Sequence, residues 1–303
     1  LGISTYDLIL ISGHILGSQP LEDHYSLMAA DVNQSGTIST LDLIELRKLL
    51  LRVIPHLDKT PIWHYPIQTD QVAGDRHWMA IKTGDVNHSY SAQLSPRSQV
   101  MVPLANKFVE AGSEITFILP KALFADYTGG QMSIHYQSEM LELLHVGVHS
   151  DMQNTSQTGQ IHLSWMTGEW EEDWTFVFKA AKSGYISDWI RLNREEMNPE
   201  VYDPNGSVLA IGWQWESPES PIQFGPNPFS AGTHLMVWSD EKTEATIWIH
   251  NEMGQNIWKG KESLQIGTNA LYISSSILGQ PGIYMVQVNF EKTQWIKKMV
   301  FVK

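Results

Sequence analysis

The chain has 303 residues, too many for one ordinary core and enough for two or three small domains. Hydrophobic residues make up 42% and charged residues 17%, a globular balance, and no apolar run approaches the roughly 18 to 20 residues of a membrane helix. A net charge of -13 argues against a nucleic-acid partner, whose phosphates would be repelled, and suits a medium rich in divalent cations.

There is no cysteine, so disulfides and thiolate metal sites are excluded. A small extracellular domain would then need another staple, and a structural metal is the usual one. The chain begins at Leu1 with no signal-peptide pattern, which reads as a mature product or a fragment.

Residues 1–92 are predicted to be helical and repetitive. Ile3-Ser4-Thr5-Tyr6-Asp7-Leu8 recurs as Ile38-Ser39-Thr40-Leu41-Asp42-Leu43, and each copy opens an amphipathic stretch, Asp7 to Leu16 and Asp42 to Val53. The serines and threonines supply N-caps, Gly17 a stop after the first helix, and Pro55 follows the second.

Between the copies, Asp31 to Asp42 spans twelve residues with oxygen side chains at positions 1, 3, 5, 9 and 12 and Gly36 at position 6. Calcium is a hard cation that takes six to eight oxygens, and this spacing supplies them. Asp31, Asn33, Ser35 and Asp42 are expected to ligate through side chains, Thr37 through its carbonyl, and Ser39 through water. Serine at position 5 and aspartate at position 12 lower charge or denticity, so the affinity should be weaker than that of a signalling site. A competing reading is an Asx-rich turn that only caps the helix from Thr40.

Residues 95–216 change character. Glu114 to Leu119 and Trp174 to Lys179 are β-branched and aromatic, and turn-forming clusters such as Asp151 to Gly159 and Asp203 to Ser207 separate such runs. Short strands punctuated by turns predict an antiparallel sandwich. Pro218, Pro221, Pro226 and Pro228 mark a linker into a second, smaller sandwich over residues 222–303, with Asn251 to Gly254 as a hairpin turn. The fold class is thus multidomain and mainly β: a small all-α calcium-loop domain followed by two antiparallel β-sandwiches.

The twelve tryptophans are dense for this length. Trp165, Trp170, Trp174, Trp213 and Trp215 would form a sugar-stacking face if exposed, but packing in sandwich cores or at a protein interface is the favoured reading. No catalytic constellation emerges: there is no Gly-x-Ser-x-Gly, phosphate loop or His-Glu-x-x-His helix. Glu169, Glu171, Glu172 and Asp173 are carboxylates of the type a glycosidase uses, but they are bunched in one acidic loop. The chain is expected not to be an enzyme.

Three resemblances sharpen these readings. The calcium loop and its repeated flank resemble a type I dockerin, in which each repeat is a calcium loop followed by a helix. The likeness covers residues 1 to about 57. The first repeat is cut off at its loop and leaves only Ser4 and Asp7 as candidate ligands of a second metal. Gly84-Asp85-Val86-Asn87 looks like the opening of another such loop, but His88-Ser89-Tyr90 replaces the following glycine, so it is read as a turn closing the domain. Residues 99–215 look like a cohesin-type sandwich, the fold that binds dockerins, on the strands Leu141 to Val146, Ile161 to Trp165 and Phe176 to Ala180.

Residues 222–303 resemble the type A C-terminal sorting domain of the type IX secretion system of Bacteroidota. The motifs are Gly225-Pro226-Asn227-Pro228-Phe229, Ala245 to Ile249 with Gly254, Gly282-Ile283-Tyr284, and a closing stretch from Lys297 and Lys298 to Lys303. That likeness implies export by the type IX machinery to the cell surface or the medium. Together the resemblances imply a non-enzymatic structural or adhesive protein that binds a protein partner or itself. Having both module types in one chain suggests head-to-tail joining of neighbouring molecules, an open assembly if the rotation does not close. The alternative is a carbohydrate- or protein-binding C-terminal region of a larger secreted enzyme.

Overall fold

A computed structural model of the protein describes residues 2–58, 60–65, 80–90, 98–167, 172–290 and 293–303. Three hydrophobic clusters lie in succession along the chain. The first gathers Leu8, Ile11, Ala29, Val32, Leu46, Ile81 and Val86 between helices α1 (Thr5–Ile15), α2 (His24–Ala30) and α3 (Thr40–Leu50).

Helices α1 and α3 begin alike. Ser4 and Ser39 are N-caps in extended backbone conformation, and each forms a capping box with the aspartate three residues on, Asp7 and Asp42. Gly17 follows the C-cap Leu16 at positive φ, the left-handed turn that glycine permits. Helix α2 was not anticipated, because its seven residues show no amphipathic period of their own. The expectation of an all-α segment is corrected: Trp63–His64 pairs antiparallel with Ile81–Lys82, a two-stranded ladder that lays Ile81 on the helical core.

The second cluster fills a sandwich. One sheet has the order Glu114–Leu119, Trp174–Ala180, Leu141–Gly147. The other runs Gln99–Leu104, Val208–Trp215, Glu200–Tyr202, Gly129–Tyr136, Gln160–Met166, Gln153–Asn154, with Ile190–Leu192 also on Gly129–Tyr136. Along Glu114–Leu119 every second residue, Ile115, Phe117 and Leu119, is buried, as a sheet with one wet face requires. The prediction of purely antiparallel pairing fails at one edge, where Gln99–Leu104 runs parallel to Val208–Trp215. Those two strands lie at opposite ends of the segment, so no hairpin forces them antiparallel.

The third cluster lies between a three-stranded sheet (Ile222–Gly225, Gly232–Ser239, Gly267–Ser274) and a four-stranded one (Asn256–Leu264, Thr243–Asn251, Gly282–Phe290, Thr293–Phe301). The Asn251 side chain accepts from the amides of Met253 and Gln255, and Gly254 at positive φ completes that hairpin. This unit abuts the sandwich before it. The Tyr185 hydroxyl donates to the Ser220 carbonyl at 2.9 Å, and its ring meets Trp238.

Candidate metal centre and docking face

The loop Asp31 to Asp42 curls so that its oxygen-bearing groups converge. Asp31 accepts from the amides of Ser35 and Gly36, both at 2.8 Å, and Asn33 Oδ1 accepts from Ser35 N at 2.9 Å. Ser35 Oγ donates to the Thr37 carbonyl at 3.0 Å, and Asp42 Oδ1 closes the ring on the amide of Asn33 at 3.2 Å. Gln34 and Gly36 both adopt positive φ, which makes the sharp turn. Of the six residues expected to hold a metal, Asp31, Asn33, Ser35, Thr37 and Asp42 share this ring. Ser39 serves as the cap of α3, its hydroxyl taken up by Leu41 N and Asp42.

The donor set is all oxygen and includes two carboxylates, which fits calcium and no softer ion. Among the described residues no group of three or more His, Cys, Asp or Glu gathers as a metal site.

Ser4 and Asp7 repeat the geometry at α1. Asp7 Oδ2 accepts from Ser4 N at 2.8 Å, as Asp42 Oδ2 does from Ser39 N at 2.8 Å. Asp7 has no exposed surface and its other oxygen accepts from Val86 N at 2.9 Å. Burial pushes its carboxyl up to about 8, and the neighbouring Asp85 carboxylate adds in the same direction.

Where the repeats differ is at the next residue. Thr40 is exposed, whereas Thr5 is fully buried against the sandwich. Thr5 N donates to Gln131 Oε1 at 2.8 Å, and its hydroxyl lies 2.7 Å from Ser164 Oγ. Tyr6 packs on Tyr202, with ring centroids 5.3 Å apart. Further along, Asn154 Nδ2 donates to the Leu51 carbonyl at 2.8 Å, and Arg52 pairs with Glu196 at 3.1 Å.

Sheet residues Gln131, Ser133, Asn154, His162, Ser164 and Glu200 are therefore all buried, although they alternate with the core residues of their strands. A sheet face this polar would ordinarily be wet. Here the helical segment covers it: Gln131 and Ser164 bond Thr5 and Asn154 bonds the Leu51 carbonyl, Glu200 accepts from Tyr202 within the sandwich, and the Ser133 hydroxyl has no partner among the described residues. Sequence reasoning missed this face, since alternating polar residues on a strand signal solvent. His162 lies within it, and neither ring nitrogen has a hydrogen-bond partner among the described residues. Burial, with help from the Arg52 charge, holds its imidazole below the ordinary 6.5.

The tail motifs also meet. Asn227 Nδ2 donates to the Lys298 carbonyl at 3.1 Å, and its Oδ1 accepts from Val300 N at 2.8 Å. Phe229 adds a short parallel bridge to Phe301 and stacks on its ring, and Lys297 reaches Gln223. The segment at Pro228 is thereby clamped to the last strand. Tyr284 donates to the Leu278 and Gln280 carbonyls, Gly282 opens its strand, and the hairpin of Gly254 lies beside it, with Asn251 opposite Tyr284 and Glu252 accepting from Ile283 N at 3.2 Å.

Among the described residues the tryptophans do not gather on one exposed face. Trp165 and Trp174 are buried edge to face with each other, and Trp213 and Trp215 are half-buried against Phe117. Trp170, Glu169 and Glu171 lie outside the described residues; Asp173 accepts from Lys121 N. No helix among the described residues is long and apolar enough to cross a membrane.

Residues 224–303 match the family described as the secretion system C-terminal sorting domain. The chain thus carries a sorting tail that addresses it to a secretion machinery, and it is a secreted or cell-surface protein. No curated protein matches it. Among solved structures it is similar to the seventh ScaB type I cohesin from Pseudobacteroides cellulosolvens (14% identity, TM-score 0.27, covering 38% of this chain and 86% of that one). It is also similar to the type II cohesin dyad of the ScaA scaffoldin of Acetivibrio cellulolyticus (12%, 0.27, 65% and 89%). A third similarity is to latent PorU from Porphyromonas gingivalis (11%, 0.23, 65% and 20%).

A histidine favoured as the neutral form stabilises the fold above its ordinary value of 6.5, and that contribution is lost as pH falls below it. Unfolding free energy of the whole chain is therefore expected to drop between neutral pH and acid, and less so in His162→Gln. Equal pH slopes in denaturant titrations of the two proteins would contradict this.

Proposed function

We propose that the protein is a non-catalytic structural or adhesive component of the extracellular surface, in which a calcium-stabilised helical module is docked in cis on its own sandwich. The observation that carries this reading is the buried polar face, where Gln131 and Ser164 are bonded to Thr5 at the start of α1 of the same chain. The tail supplies export, and the calcium loop would hold the N-terminal turn of α3 in register with the helical core.

Head-to-tail assembly requires the same contact to form between molecules. Each molecule would then have to give up its own α1 contact, so the cis arrangement is the favoured form at low concentration, where the tether keeps the local concentration of the module high.

Hydrodynamic radius separates the two. In calcium the wild-type chain is expected to sediment as a compact monomer, and Thr5→Arg, which drives a charge into the buried contact, should expand it without unfolding either sandwich. Long polymers of the wild type that Thr5→Arg dissolves would place the contact in trans instead. For the metal, a ligand bound only by the folded state stabilises by mass action, about 2.7 kcal/mol at a hundredfold excess over Kd. Chelator is therefore expected to lower the melting temperature of the earliest transition, and superimposable melting curves in calcium and chelator would refute calcium binding.

A further inference from the structure

Strand Gln160–Met166 puts Ile161, Leu163 and Trp165 into the sandwich core, so His162 and Ser164 point the other way, toward the helical module. Ser164 lies under Thr5, at one end of the contact. His162 stands opposite Ser133 on one neighbouring strand and Asn154 on the other. Asn154 in turn holds the carbonyl of Leu51, the C-cap of α3, at the other end of the contact. His162 is thus seated between the two places where the module is tied down, and only 1% of its surface is exposed.

Nothing there is prepared for its charge. Neither ring nitrogen has a hydrogen-bond partner among the described residues, and neither has the Ser133 hydroxyl opposite it. A neutral imidazole so placed leaves one donor and one acceptor unpaired, a modest cost. An imidazolium would bury two unpaired donors and a full charge, which costs far more unless an anion meets it.

The surrounding charges do not meet it. Arg52, one residue past the C-cap of α3, acts on it with a like charge, and Glu196 with an opposite one. Yet the Glu196 carboxylate is already paired with Arg52 at 3.1 Å, and the guanidinium also donates to the Glu196 carbonyl at 2.7 Å. Glu200 accepts from the Tyr202 hydroxyl at 2.8 Å, and Asp7 of α1 accepts from the amides of Ser4 and Val86. His135, two residues beyond Ser133, stands opposite Arg191, and His149 pairs with Asp151 at an exposed turn. Protonation of His162 therefore adds an uncompensated cation beneath the module.

We propose that His162 is an acid-operated release: when its imidazole takes a proton, the helical module lifts from the sheet and bares the polar face. This release rests on the cis docking proposed above. Water solvates the cation in the undocked form and is kept from it in the docked form, so proton uptake and undocking are linked. Burial holds the docked imidazole below 6.5, and docking is accordingly at full strength above that value. Below it, docking weakens by about tenfold for each pH unit until the docked ring itself takes the proton.

The test is sedimentation of the full chain at low concentration in saturating calcium, at about pH 7.5 and about pH 5.5, the span over which histidine changes charge. The wild type is expected to be compact at the first and expanded at the second. His162→Gln should be compact at both, and Thr5→Arg expanded at both. Proton resonances of the imidazole add a readout that a purely structural histidine would not move. His162 should titrate below 6.5 in the wild type and near it in Thr5→Arg, where docking is broken. A wild type that stays compact at the lower pH would overturn the release. So would a His162→Gln that expands with it, or a wild-type His162 that titrates at or above 6.5. With Thr5→Arg still expanded, those results would leave the docking standing. Thr5→Arg as compact as the wild type at the higher pH would overturn the docking, and the release with it.

Discussion

The placement of the whole helical segment turns on Thr5. Its amide and hydroxyl meet Gln131 and Ser164 inside a contact from which solvent is excluded, and its neighbour Ser4 caps the helix that Thr5 begins. Unmade, each of these buried hydrogen bonds would cost roughly 1–3 kcal/mol. The threonine can make them only while the first turn of α1 holds its shape. That turn is shaped by Asp7, whose carboxylate bonds Ser4 on one side and Val86 on the other. Loop, helix terminus and sheet face are one connected polar network, and such networks stabilise when complete and destabilise when one member is missing.

The polar face explains an otherwise puzzling pair of strands. Gly129–Tyr136 and Gln160–Met166 are buried on both sides, yet neither is the continuous apolar run that double burial usually produces. One side packs Met132, Ile134, Leu163 and Trp165 into the sandwich, and the other presents hydrogen-bonding groups to α1. Polar complementarity fixes the register of the docked helix more tightly than apolar contact would, because a shift by one residue orphans several buried groups. Apolar packing still contributes, with Ile9 close to Gly129 and Met166 on the helical core.

Much of this architecture was legible in the residues. The strands of both sandwiches follow from alternation such as Ile115, Phe117, Leu119 and Ala245, Ile247, Ile249, and the helix starts from Ser4 and Ser39. The oxygen ring from Asp31 to Asp42 was legible too, since its spacing is local. Non-local features were not. Gln131 looks like a solvent-facing strand residue until Thr5, 126 positions away, is placed over it. The parallel strand at Gln99–Leu104 was missed for the same reason, its partner being more than a hundred residues distant.

The tail follows a separate logic, with the Asn227 side chain clamped on the main chain of the last strand. Its sheets do not take part in the network around Thr5. The rest depends on α1 being docked on the sandwich by a helical module that the proposed calcium loop at Asp31 to Asp42 holds in shape. Hydrogen exchange at residues 129–136 and 160–166 of the full chain, with calcium and with chelator, tests it most directly. Protection of those strands is expected to fall on chelation while that of Glu114–Leu119, on the opposite sheet, is kept. Unchanged protection of Gly129–Tyr136 and Gln160–Met166 in chelator would contradict the account.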